Sequence, residues 1–163
     1  LGERFRPRLR PLGTVVARRR PPQPKTTDPD VIGSVMAEAK TIKGYRLEPY
    51  ANCAGAVLDH ARLSGANLYN IDLRDSVLTE AQLQGAYLAE AKLGGSTLVN
   101  ADLSGANLSG ADLRGANLTG ADLTGANLRR ADMSGARVAG ANFTSAKFCK
   151  TVLPDLRIND QHC

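Results

Sequence analysis

The 163-residue chain carries 21 Lys or Arg against 16 Asp or Glu, a net charge of +5, with 42% hydrophobic but only 4% aromatic residues. No apolar run is long enough to cross a bilayer as a helix. No catalytic constellation or glycine-rich phosphate loop appears, so an enzyme, a cofactor and a small-molecule substrate are not expected.

The positive charge is concentrated at the start. Residues 1–50 hold 11 Lys or Arg against 5 Asp or Glu, whereas residues 51–155 hold 9 against 10. In the arm, residues 1–27, Arg4, Arg6, Arg8, Arg10, Arg18, Arg19, Arg20 and Lys25 alternate with Pro7, Pro11, Pro21, Pro22 and Pro24. So many prolines prevent a regular element, and such a segment orders only when a partner holds it. The arm is Arg-rich and acid-poor, like part of a transit peptide, and the chain starts without Met. The expectation is a mature extension of a processed precursor, bound within a multi-subunit assembly.

Residues 28–50 are expected to form a capping helix and linker. Asp28 suits an N-cap, Pro29 a first turn and Gly44 a stop. Val31, Ile32, Val35, Met36, Ala39 and Ile42 would give the helix one apolar face, and either this helix or the RLEPY segment after it is expected to cover the start of the region beginning at Ala51.

From Ala51 to Asp155 the chain counts in fives, most clearly as ADLSG ANLSG ADLRG ANLTG ADLTG ANLRR ADMSG over Ala101–Gly135. A period of five fits neither the 3.6 of a helix nor the 2.0 of a strand, and implies a solenoid that turns a corner every five residues. Each pentad has a large apolar centre, Leu at every centre from Leu58 to Leu128, with a small residue two before it. On an extended segment these two point the same way, so both face inward and the rest face water. Four corners close a square coil of 20 residues. The 21 pentads make about five coils, a rod of roughly 25 Å at the usual strand spacing. Ser76 and Ser96, one coil apart in the small-residue column, are expected to be hydrogen-bonded fillers.

The tandem A(D/N)LxG pattern resembles the pentapeptide repeat family, which implies an all-β solenoid, a right-handed quadrilateral β-helix. The close FCKTVLPD, with a short tail ending in Cys, resembles the C-terminal cap of photosynthetic-lineage members, written FC..T.(M/L)PD. Members include topoisomerase-protecting DNA mimics and thylakoid-lumenal proteins, so the resemblance implies architecture more than function.

The last centres, Met133, Val138, Phe143 and Phe148, are expected to plug the tube, with the tail 156–163 folding over them. Cys53 falls at a centre and reads as a small core residue. Cys149 and Cys163 are either a disulfide pinning the tail, which implies an oxidising compartment such as a thylakoid lumen, or two free thiols. A zinc site adding His162 is the weakest alternative. His60 and Glu80, one coil apart, suit a surface pair. For partner binding, one face offers Tyr69 and Tyr87, with Arg129, Arg130, Lys147 and Lys150 farther along it. The adjacent face offers an outward strip of Val57, Val77 and Val99.

Three functions are compatible with these features. The first is a structural subunit docked by its arm and outer faces into a large assembly, most plausibly a chloroplast photosynthetic membrane complex at the thylakoid lumen side. An organellar ribosomal protein with an RNA-binding arm is the alternative, although the arm offers only Phe5 for base stacking. A DNA mimic would need a longer, strongly acidic rod, which this one is not.

Overall fold

A computed structural model describes residues 40–163; the basic arm and most of the expected helix lie outside the described residues. Strand β1 (Lys40–Ile42) pairs antiparallel with β2 (Tyr45–Leu47), and β3 (Thr151–Val152) pairs antiparallel with β4 (Ile158–Asn159). Between the two hairpins runs the repeat. Parallel bridges join residues 20 apart throughout, from Asn52–Asp72 to Asp132–Val152. One circuit is therefore 20 residues, four pentads per coil.

The repeat pattern arises from what each position must do. The 15 leucine centres from Leu58 to Leu128 are all buried to within 1% exposure, and the small residues two before them are buried or nearly so. Each centre donates its N–H to the coil after it, as Leu98 does to the Asn117 carbonyl at 2.7 Å. The residue before a centre donates to the preceding coil, as Asn117 does to the Ser96 carbonyl at 2.8 Å. These ladders satisfy a backbone that has no long strands.

Asp or Asn precedes so many centres for a reason beyond contact with water. Its Oδ1 accepts the backbone N–H two residues on, as in Asn107 to Ser109 (3.1 Å), Asn117 to Thr119 (3.2 Å) and Asp132 to Ser134 (2.9 Å). These are Asx turns, which hold the corner. The corner itself needs positive φ at the second residue after each centre. Glycine supplies it at Gly110 (φ 68°), while Glu90, one coil earlier, adopts φ 59° as a non-glycine residue. A Cβ added at Gly110 would collide with the Glu90 carboxylate, so glycine answers two demands there.

Ser76 and Ser96 are fully buried and donate to the Leu73 and Leu93 carbonyls at 2.6 and 2.7 Å. They are the fillers the pattern implied. Because Ala occupies the same position in most other pentads, Ser76→Ala and Ser96→Ala are each expected to change unfolding free energy by less than about 1 kcal/mol, since donor and cavity are removed together. Urea unfolding of the two variants checks this.

Two expectations need correction. Lys40–Ile42, assigned to the end of a helix, is a strand. It turns back through Lys43 (φ 49°) and Gly44 (φ 82°), a two-residue hairpin loop with both φ values positive. The β-branched pair Thr41–Ile42 and the Tyr45–Leu47 segment favour pairing over helix here, and Gly44 serves the turn rather than a helix stop. The hairpin, with Leu47 buried and Ile42 and Tyr45 half-buried, packs against the first coil. At the other end the aromatics do not plug the tube. Val138, Phe143 and Phe148 are only half-buried, and a cavity of about 210 Å³ opens there, lined by Met133, Val138, Phe143, Phe148, Leu153 and Pro154. The tail turns back across two sides of the last coil instead of closing the whole end.

Candidate functional site

The outer side chains stand in columns, because the bridges stack residue upon residue. One face carries the column Asn67–Tyr87–Asn107–Asn127–Lys147. Tyr69 lies against Tyr87 in a stacked arrangement with ring centroids 5.8 Å apart. Sequence reasoning missed a third member: Tyr50 meets Tyr69 edge-on at 5.4 Å. Tyr50 sits two residues after Glu48, a polar residue where the apolar centre would be, so the repeat count gave it no register. Yet the Tyr50 N–H bonds the Tyr69 carbonyl at 2.9 Å, placing it within the first coil. Tyr50 and Tyr87 remain 39% and 41% exposed. Burial, and after it the neighbouring Tyr69 hydroxyl, push the Tyr50 hydroxyl above its ordinary pKa.

Below the tyrosines the face is amide-rich, with Asn127 Nδ2 donating to Asn107 Oδ1 at 3.2 Å. At its far end stand Arg129, Arg130, Lys147 and Lys150, all exposed. Arg129 is partly engaged, donating to the His162 carbonyl at 3.2 Å. The structure therefore puts the six candidate residues on one side of the rod, tyrosines toward one end and cations toward the other. Exposed, mutually supported aromatics are typical interface anchors, and rings already stacked lose little freedom on binding. The arm residues Arg4, Arg6, Arg8, Arg10, Arg18, Arg19 and Arg20 lie outside the described residues. On the adjacent face Val57 stacks on Val77, with Val57 47% exposed, and the column then turns polar at Thr97 and Asn117.

The tail is held by chemistry as well as geometry. Cys149 and Cys163 are joined by a disulfide, which leaves neither sulfur as a thiolate for a metal. His162 stacks on Phe148 and its Nδ1 accepts the Phe148 N–H at 3.2 Å. The Asp160 carboxylate accepts the Lys150 N–H at 2.8 Å. Cys53 is buried, and burial pushes its thiol pKa up, consistent with a packing role. His60 and Glu80 form the surface pair at 3.2 Å, both well exposed.

On a third face, Arg74 donates to both oxygens of Asp72, and Arg114 to both oxygens of Asp112, two coils on. These guanidinium bonds hold both carboxyls below the ordinary range. For Asp102, burial pushes the carboxyl up, but bonds from Ser104 and Gln84 outweigh it, and the net direction is down. A depressed folded pKa gives stability that is present above the unfolded value and lost as pH falls through the folded one. The rod should therefore lose stability below about pH 4, as these carboxyls protonate. Asn preserves the turn-closing oxygen, so a variant combining Asp72→Asn, Asp102→Asn and Asp112→Asn should show a flatter acid limb in thermal melts.

Comparison with known proteins places this geometry. A family model described as pentapeptide repeats matches eight copies, over residues 51–88, 81–120 and 111–148. Among solved structures, the pentapeptide repeat protein Rfr23 from the cyanobacterium Cyanothece 51142 is 38% identical, with a TM-score of 0.53 over 60% of this chain and 63% of its own. HetL, a pentapeptide repeat protein involved in heterocyst differentiation regulation from Nostoc sp. strain PCC 7120, is 28% identical over 69% of this chain and 65% of its own, TM-score 0.48. A pentapeptide repeat protein from the Arabidopsis thaliana thylakoid lumen is 35% identical over 66% of this chain and 68% of its own, TM-score 0.30. The chain spans slightly less than two thirds of the length of Rfr23 and HetL. Comparison with curated proteins finds no match.

Proposed function

The chain belongs to the pentapeptide repeat family, whose members fold as right-handed quadrilateral β-helices, and from that premise we propose that it is a non-enzymatic docking subunit. The rod presents rigid flat faces, and the face with Tyr50, Tyr69 and Tyr87 binds a protein partner in a larger assembly, with the basic arm as a second attachment. The observation that carries this is the tyrosine ladder: three aromatic rings in series, Tyr69 touching both Tyr50 and Tyr87, the outer two more than a third exposed on a protein with few aromatics. Nothing in the rod's own packing requires them there, since the tube is filled by the leucine column.

The assembly we favour is a photosynthetic membrane complex of the chloroplast, on the lumen side. Two features support it: the Cys149–Cys163 disulfide, which suits an oxidising compartment, and the FCKTVLPD close. The rod's near-neutral charge weighs against DNA mimicry.

The test is native capture from source membranes with three forms of the protein: full length, a form lacking residues 1–27, and a Tyr69→Ser, Tyr87→Ser double variant. Truncating interface anchors of this kind typically costs at least 2 kcal/mol each. Capture of membrane-complex subunits should fall by more than about tenfold with the double variant. Loss of rRNA and ribosomal proteins on removing the arm would favour the ribosomal alternative, and capture unaffected by either change would overturn the docking role.

A further inference from the structure

The rod's C-terminal end differs from its body in three ways that converge on one kind of ligand. The first is backbone pairing. Inside the rod, each centre and each corner donates to the next coil, as Leu118 N does to Arg137 O (2.7 Å) and Gly120 N to Ala139 O (2.9 Å). For the last coil there is no next coil. The tail stands in for it along two of the four sides: β4 pairs with Thr151–Val152, and on the side before it His162 Nδ1 meets the Phe148 N–H and Asp160 meets the Lys150 N–H. Among the described residues, no group pairs with the N–H of Val138, Gly140, Phe143 or Ser145, or with the carbonyl of Ala136, Ala141 or Ala146. Two sides of the end are thus an open β edge, a template for another extended backbone.

The second is the cavity of about 210 Å³ beside that edge, lined by six apolar residues. Pockets for drug-sized ligands run to about 300–1,000 Å³, so this one suits an apolar side chain or two. The third is charge. Residues 51–128 carry 4 Lys or Arg against 8 Asp or Glu, but residues 129–150 carry Arg129, Arg130, Arg137, Lys147 and Lys150 against Asp132 alone. The carboxylates of the tail are engaged: Asp155 by Arg157, and Asp160 by the Lys150 N–H. The rod is therefore acidic along its body and basic at this end.

We propose that the C-terminal end binds an extended acidic polypeptide segment, which pairs with the edge at residues 136–146 and seats an apolar side chain in the cavity. Strand addition of this kind takes affinity from main-chain bonds and selectivity from alternate side chains. The tail is the internal precedent, an extended segment whose carboxylate already accepts one N–H of this coil. A second copy docking through the same C-terminal end would bring like charges together, which the charge distribution disfavours. The proposal deepens the docking function by naming a partner chemistry, and rests on it.

The test uses the full chain and a short fluorescein-labelled peptide alternating Glu with Leu. Anisotropy should report binding, with affinity falling at least about tenfold when Lys replaces Glu or when alternate backbone nitrogens are methylated. Amide exchange at Val138, Gly140, Phe143 and Ser145 should slow only when peptide is present. An Arg137→Glu, Lys147→Glu double variant, altered at exposed positions alone, should bind about tenfold more weakly with an unchanged thermal melt. Absence of binding, indifference to N-methylation, or full protection of these amides before peptide is added would overturn the proposal. The last result would mean that residues 1–39 or a second copy covers the edge. If the peptide fails while capture still depends on Tyr69 and Tyr87, only the end site falls and the docking function stands.

Discussion

Leu98→Ala is expected to lower the unfolding free energy by about 3–5 kcal/mol. Leu98 is fully buried at the middle of the column Leu58–Leu78–Leu98–Leu118–Val138, with a coil on each side. The cost should sit toward the upper part of the range for large-to-small substitutions because the tube cannot collapse. Its walls are backbone, held at fixed spacing by ladders to both neighbouring coils, and the small residues that might shift inward are already buried. The same truncation at Val138, half-buried beside the open end, removes less volume and leaves a neighbourhood able to relax, so it should cost about 1 kcal/mol. Urea unfolding followed by circular dichroism measures both. Near-equal costs at the two positions would mean that the rod's middle relaxes as easily as its end.

Removing the disulfide should have the next largest effect, confined to one end. Closing the loop between Cys149 and Cys163, 14 residues apart, contributes roughly 3 kcal/mol in the chain-entropy model. A Cys163→Ser protein keeps the β3–β4 pairing, the Asp160 bond to Lys150 N–H and the His162–Phe148 stack. Those contacts are exposed and few, so we expect the tail to open far more often than in the parent. In a solenoid each coil leans only on its neighbours, so the loss should stay in the last coil. Amide exchange over residues 148–163 should speed up at least about tenfold in Cys163→Ser, with residues 58–118 unchanged. Equal exchange in the tail would show that the hairpin alone holds the cap.

The parts of this molecule that the sequence revealed are those the repeat writes many times. Fifteen leucines and a column of alanines, each in the same relation to its corner, leave one arrangement that buries both, and the fillers Ser76 and Ser96 are legible as exceptions within it. The disulfide was legible as one of three alternatives, because the tail is short enough to return to Cys149. The ends were harder. Ile42 has helical spacing from Val35, Met36 and Ala39, but the hairpin is decided by pairing between Thr41 and Arg46 and by the conformation of Lys43, which periodicity does not encode. Tyr50 lay just outside the count, after Glu48 at a position that would otherwise be an apolar centre. The open end was hidden because bulky aromatics imply closure only if the backbone carries them over the mouth. Here the chain turns back after Pro154 and leaves Phe143 at the rim.

The most direct test of the docking function is site-specific photo-crosslinking in source membranes, with benzoylphenylalanine placed at Tyr87 or, as a control, at Gln82. Both positions are exposed, and they lie on different faces of the same coil. A docking face at the tyrosine ladder predicts a discrete crosslinked partner from position 87 and none from position 82. Crosslinks of equal yield from both positions, or from position 82 alone, would contradict it.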